Sequence, residues 1–211
     1  MVRHDLAIVI PAYNEENTIE LVINSVKSYG EVIVIDDGSK DKTANKSKNA
    51  GAIVHSHLKN YGYDESLNTG FKIAKNQGFE FVITMDADGQ HNANSINKIK
   101  KLLNDGFDVV VTDRSYKQRF SEYLFAAYSF LRWSISDPLS GLKGYRVSLY
   151  CALGHFDSYN SIGTELLFFA LKNQYKVVQI STELFPRSGE SRFGQRLLSN
   201  IKILRALFLS F

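Results

Sequence analysis

A single cysteine, Cys151, in 211 residues rules out an intramolecular disulfide, so the expectation is a reducing, cytoplasmic setting with Cys151 as a small buried hydrophobe. Proline is nearly as scarce. Three residues, Pro11, Pro138 and Pro186, are too few for an extended linker, and neither an internal repeat nor a low-complexity tract is present. No apolar run approaches the roughly 18 residues of a membrane span, and the chain enters its first apolar run directly after Arg3-His4-Asp5, so neither a spanning helix nor a signal peptide is expected. An excess of one charge is missing too: Lys+Arg 25 against Asp+Glu 22 leaves +3, which argues against a nucleic-acid partner. No Gly-x-Gly-x-x-Gly follows the first strand, which disfavours a nicotinamide enzyme.

What is present is a regular alternation. Leu6-Ala-Ile-Val-Ile10 is an unbroken apolar run of the kind a doubly buried parallel strand requires, and Pro11 is expected to stop it. Asn17 with Glu20 resembles a capping box, and Ile19, Ile23, Val26 and Tyr29 keep helical spacing up to Gly30. Further strands are predicted at Val32–Ile35, Ala52–His55, Phe79–Met85 and Phe107–Thr112, separated by helices over Asp41–Asn49, Glu65–Asn76 and Ser95–Asn104. This pattern means right-handed crossovers and an α/β fold with a mostly parallel sheet flanked by helices. Beyond Arg114 the rhythm fails. Phe120–Trp133 and Ile162–Lys172 read as helices, Asp137-Pro-Leu-Ser-Gly141 as a loop and Val177–Leu184 as a strand. Gln195–Phe211 reads as an amphipathic helix that either docks on the domain or lies on a membrane surface.

Three polar clusters each follow an apolar strand: Pro11-Ala-Tyr-Asn-Glu15, Asp36-Asp37-Gly38-Ser39 and Asp86-Ala-Asp88. In a parallel sheet they open on one edge, where such folds bind ligands. Strand alternation would place Asp86 and Asp88 on the same side, and two hard oxygen donors suit a Mg2+ or Mn2+ that also holds a phosphorylated substrate. The plainer alternatives are a solvated turn or a helix cap for Asp86 and Asp88 and N-capping for Asp36 and Asp37.

The strings PAYNEENTI, IDDGSKDKT, NYGYDESLNTG, MDADGQH, the TDR at Thr112–Arg114, DPLSG and RSGESR, in this order, resemble the family 2 inverting glycosyltransferases, especially those that load sugars onto dolichyl or polyprenyl phosphate. The resemblance implies a GT-A fold of about seven mixed strands with a nucleotide-sugar donor at the carboxyl edge, the catalytic domain spanning 1–194 and the amphipathic helix 195–211. It assigns Pro11, Tyr13, Glu15, Ile35 and Asp37 to the base and ribose, Asp86 and Ala87 to the ribose and diphosphate, and Asp86, Asp88 and Gln90 to the metal. His91 holds the loop or caps the next helix. Arg114, Arg187 and Arg192 would stabilise the departing nucleoside diphosphate, because arginine stays charged and forks onto phosphate oxygens.

The acceptor decides whether a base is needed. A saccharide hydroxyl must lose a proton, and Asp137 and Glu165 are the carboxylates available for that; a lipid phosphate arrives largely ionised, and then Asp137 and Ser140 shape its pocket while Arg114 holds it. The expected enzyme is therefore a metal-dependent hexosyl- or N-acetylhexosaminyltransferase using a GDP- or UDP-sugar, cytoplasmic and peripheral to the membrane. A haloacid dehalogenase-type phosphohydrolase, whose strand also ends in Asp-x-Asp-Gly, is the more distant alternative; its nucleophile would follow an early strand, whereas here the motif follows the fourth.

Overall fold

The computed structural model describes residues 5–114, 117, 119–185 and 196–209, with the backbone alone at 196–199. Its elements in chain order are β1 (Leu6–Ala12), α1 (Ile19–Val26), β2 (Glu31–Asp36), α2 (Thr43–Asn49), β3 (Ile53–Ser56), α3 (Tyr63–Gln77), β4 (Phe81–Thr84), α4 (Ser95–Asn104), β5 (Val109–Arg114), α5 (Phe120–Trp133), β6 (Lys143–Arg146), α6 (Val147–Leu153), α7 (Glu165–Lys172), β7 (Val177–Thr182) and α8 (Arg196–Leu209). The seven strands form one sheet in the order β3-β2-β1-β4-β6-β5-β7. Only β6 runs against its neighbours, β4 and β5.

Strand alternation builds two apolar layers. Leu6, Ile8 and Ile10 of β1 face one side and meet Ile19, Ile23 and Val26 of α1 and Ile96, Ile99 and Leu103 of α4. Ala7 and Val9 face the other, against Leu67, Phe71 and Ala74 of α3 and the α6–α7 pair. With both faces covered, the near-continuous apolar runs of β1, β2 and β4 are what burial demands.

Several expectations need correction. Pro11 does not end β1, which continues to Ala12 in register with Asp36. Val9 accepts from Met85 and so points at β4; Pro11, two residues on, points the same way beyond the last β4 residue, so its missing N–H costs no ladder bond. Asn17 and Glu20 form no capping box: α1 begins after Thr18, whose hydroxyl turns back to the Glu15 carbonyl and carboxylate. Cys151 is exposed, on the outer side of α6. Two elements, β6 and α6, went unpredicted. Among the described residues no helix is long and apolar enough to cross a membrane.

Candidate active site

Six strands of the sheet run in one direction and release their carboxyl ends on one edge, and β6, being reversed, starts there, with Lys143 opposite Thr84. The three polar clusters, the Asp137–Gly141 loop and the chain leaving β7 therefore converge. The first two clusters are stitched together: the Asn14 N–H donates to Ser39 Oγ (2.9 Å), the Glu15 N–H to Thr43 Oγ1 (2.8 Å), and the Lys40 N–H to Asn14 Oδ1 (2.8 Å). Tyr13 and Glu15 are half-buried here, as is Pro11 at the end of β1.

Asp37 is not left open. Its carboxylate accepts from His57 Nδ1 (2.8 Å) and from the N–H groups of Tyr61 (2.9 Å) and Gly62 (2.8 Å), which folds the 57–62 loop over the strand end. Nor is it an N-cap for α2, which begins at Thr43. The Ile35 side chain lies wholly in the core beneath α3, so only its backbone faces the edge.

Asp86 and Asp88 lie in a turn rather than on the strand, because β4 ends at Thr84. Strand alternation therefore does not set their direction. Instead Ala87 is drawn into the core, Gly89 takes a left-handed φ of 76°, and Asp88 Oδ1 accepts the Gln90 N–H (3.1 Å) in an Asx-type turn. Asp86 keeps 35% of its side chain exposed and receives His91 Nε2 at 3.2 Å. Burial works against its ionisation, but the hydrogen bond and charge of His91, with Arg114 and Lys143 beyond, outweigh this and hold its pKa below the ordinary carboxylate value. The sequence reading of His91 as a loop-holder thus has a specific partner, Asp86.

The Asp86 carboxylate also rests on Gly141. A Cβ built at that position would lie 2.0 Å from Oδ2 and 2.6 Å from Oδ1. A side chain at the glycine of DPLSG would have to push the Asp86 carboxylate aside, so the two motifs are in contact there. Gly141→Ala should displace Asp86 and lower catalytic activity about 100-fold while circular dichroism stays native; activity within a few-fold of wild type would show that the carboxylate moves aside harmlessly.

On the far side of that contact, Arg114 forks onto Asp137, Nε to Oδ2 at 2.7 Å and Nη2 to Oδ1 at 2.9 Å, while its backbone N–H adds a third bond at 3.0 Å. Nη2 also reaches Glu122 (3.4 Å), which pairs with Arg119 (2.9 Å). Burial opposes the charge on Arg114, yet Asp137, Glu122 and Asp86 more than compensate and raise its pKa above the usual guanidinium value. Ser140 bonds Thr112 (2.7 Å) beneath the loop. Glu165 is spent elsewhere, on His155 (2.8 Å) and Ser158 (2.9 Å).

Sequence reasoning assigned no role to three polar groups that the fold brings here. Lys143 is buried at the start of β6, with its Nζ donating to the Gly163 carbonyl at 3.2 Å; burial lowers its pKa to about 8 against the pull of Asp137, Asp86 and Asp64. Asp64 accepts the N–H groups of Ile162 (3.3 Å) and Gly163 (2.6 Å) and holds Ile162 at a φ of 61°, a costly backbone for a β-branched residue. Burial first, then the charge of Asp157, raises Asp64 to about 7. The phenol of Tyr63 sits beside Asp86; burial and the charges of Asp86 and Asp64 push its pKa well up. Tyr63 and Asp64 lie inside NYGYDESLNTG, so a signal existed; Lys143 had none.

Arg187 and Arg192 lie outside the described residues. The last described residues before them lie beside the Asp86 turn: the Phe185 N–H donates to the Gln90 carbonyl (2.8 Å), and Leu184 bridges His91.

The mixed seven-stranded sheet, with helices on both faces, is a GT-A fold. Residues 7–163 match Glycosyl transferase family 2, and the chain belongs to that family. Among curated proteins it is similar to the UDP-N-acetylglucosamine–dolichyl-phosphate N-acetylglucosaminyltransferase of Methanococcus voltae, 26% identical over 236 residues covering 96% of this chain and 94% of that one. It is also similar to the undecaprenyl-phosphate 4-deoxy-4-formamido-L-arabinose transferase of Aeromonas hydrophila, 35% identical over 127 residues, 54% of this chain and 38% of the other. The solved structure of glucosyl-3-phosphoglycerate synthase from Mycobacterium tuberculosis with Mg2+ and uridine diphosphate superposes with a TM-score of 0.81 at 21% identity, over 98% and 79% of the two chains. The haloacid dehalogenase alternative falls with this membership.

Proposed function

We propose that this glycosyltransferase moves a hexose or N-acetylhexosamine, with inversion at the anomeric carbon, from a UDP- or GDP-linked sugar to a polyprenyl or dolichyl phosphate. The observation that carries the acceptor is the state of the two carboxylates that a hydroxyl acceptor would need. Asp137 is clasped by Arg114 and Glu165 by His155 and Ser158, so both carboxylates are already engaged by partners of their own. A phosphate acceptor needs neither, since its second pKa is about 6 and it arrives as a nucleophile. The names of the Methanococcus and Aeromonas relatives, both of which act on lipid phosphates, agree with this.

On this reading Pro11, Tyr13, Glu15 and the Ile35 backbone form the wall for the base and ribose, and Asp37 positions the 57–62 loop that closes it. Asp86, Ala87, Arg187 and Arg192 attend the diphosphate. Arg114, whose Nη1 has no hydrogen bond among the described residues, offers its remaining N–H groups to the acceptor phosphate, with Asp137 fixing the fork.

The donor set fits a divalent cation in a particular way. Among the described residues no group of three or more His, Cys, Asp and Glu side chains is placed to cage an ion. The Asp86 and Asp88 carboxylates with Gln90 suit a Mg2+ or Mn2+ completed by diphosphate oxygens, the usual arrangement for Mg2+. Such an ion, when bound, would offset the negative charge that builds on the leaving diphosphate. Calorimetry tests this. UDP or GDP should bind with Mn2+ about tenfold or more tighter than without it, and Mn2+ alone should bind weakly. Absence of nucleotide binding under every condition would overturn the donor assignment.

A further inference from the structure

α5 and α8 lie side by side, joined through Phe125, Ile203 and Ala206 together with Phe168 of α7. Each helix buries one stripe in that contact and leaves a second apolar stripe to solvent. On α5 the outer stripe is Phe120, Tyr123, Leu124, Phe130 and Leu131, with Leu131 86% exposed; on α8 it is Ile201, Leu204 and Phe208, with Phe208 75% exposed. Soluble surfaces rarely concentrate large side chains in this way unless the patch meets something.

We infer that the outer stripes of α5 and α8 lie together on a lipid bilayer that carries anionic headgroups. The inference rests on the proposed lipid-phosphate acceptor and names the surface that presents it. Charge identifies the occupant. Among the described side chains the exposed charged groups of the two helices are Arg132, Lys202 and Arg205, the last also donating to the Tyr159 carbonyl (2.7 Å); α8 holds no Asp or Glu, and the single acid of α5, Glu122, is buried against Arg114 and Arg119. An apolar stripe edged by cations alone is the pattern of an interfacial helix on an anionic membrane. A second copy would bring those cations against one another across a twofold axis with no acid on the face to answer them. Position points the same way. Leu139, in the Asp137–Gly141 loop, and Ile162, in the loop held by Asp64 and Lys143, pack on the cluster that joins α5 to α8. The acceptor side of the site and the apolar face thus share one scaffold, and a lipid whose phosphate reaches Arg114 has its tail on this side.

Flotation of the full chain with phosphatidylcholine vesicles, with and without phosphatidylglycerol, tests the inference. Wild type should float with the anionic vesicles about tenfold better than with neutral ones, and Leu131→Asp combined with Phe208→Asp should lose about tenfold or more of that binding. Both positions are exposed, so the variant should keep wild-type uridine diphosphate binding by calorimetry. Intact nucleotide binding without flotation, or equal flotation of wild type and variant, overturns the membrane face and leaves the transferase reading standing. A wild-type dimer that the variant converts to monomer also overturns it, in favour of a second copy. Flotation that depends on these residues, with no nucleotide bound by either protein, supports the face and removes the donor assignment instead.

Discussion

Asp86→Asn should reduce sugar transfer by about 10²- to 10³-fold while leaving thermal unfolding within a few degrees of wild type. The substitution is nearly isosteric, so the contact with Gly141 survives, and an amide oxygen still accepts from His91; what disappears is one negative charge on a carboxylate that is one-third exposed. A structural role alone would show in stability, whereas a role toward a cation shared with the diphosphate shows in rate and in metal response. The decisive measurement is nucleotide affinity with and without Mn2+. In the variant the metal-dependent gain should vanish and the metal-free affinity should hold. Asp88→Asn should behave the same way, and Asp105→Asn, beyond the end of α4, should change neither quantity. A variant at Asp86 that retains the full Mn2+ gain would show that the acid serves only to hold the 91 turn.

The sequence made the frame legible where burial is uniform. β1, β2 and β4 sit in the middle of the sheet, covered on both faces, so their apolar runs are written without interruption. β6 is the opposite case. Lys143-Gly-Tyr-Arg146 shows no apolar run because Lys143 carries its ammonium to the Gly163 carbonyl, Gly144 makes room for Ile99 and only Tyr145 fills the core; a Cβ at Gly144 would stand 2.2 Å from that isoleucine. Its strand character comes from β4 and β5 on either side, which no local window contains.

The site divides in the same way. That three acidic clusters would meet at one edge followed from strand direction alone, and the sheet confirms the shared edge. How each acid is engaged did not follow, because the partners lie far along the chain: His57 and the Tyr61 and Gly62 amides for Asp37, Arg114 for Asp137, His155 and Ser158 for Glu165. A carboxylate's role depends on which hydrogen bonds it has already accepted, and topology decides that.

The pairing of Arg114 with Asp137 yields the other large expectation, and it separates the two acceptors. Arg114→Ala should cost about 3–5 kcal/mol, a fall of roughly 10 °C in a chain of this size, because it strands carboxylates that are almost wholly buried. Asp137→Ala should cost less, since the guanidinium it leaves behind still has Glu122 within 3.4 Å and is itself 19% exposed. The double variant should be less unstable than the sum of the singles, so its destabilisation minus that of the two singles should be negative. Arg114→Lys should recover part of the stability but little of the transfer, because an ammonium cannot reproduce the fork. Activity then discriminates. If the acceptor is a lipid phosphate, Asp137→Asn weakens acceptor KM through a misplaced Arg114 and leaves the pH profile of kcat where it was. If Asp137 were instead the base for a sugar hydroxyl, the same variant would abolish kcat, erase the acidic limb of its pH profile and leave acceptor KM nearly unchanged.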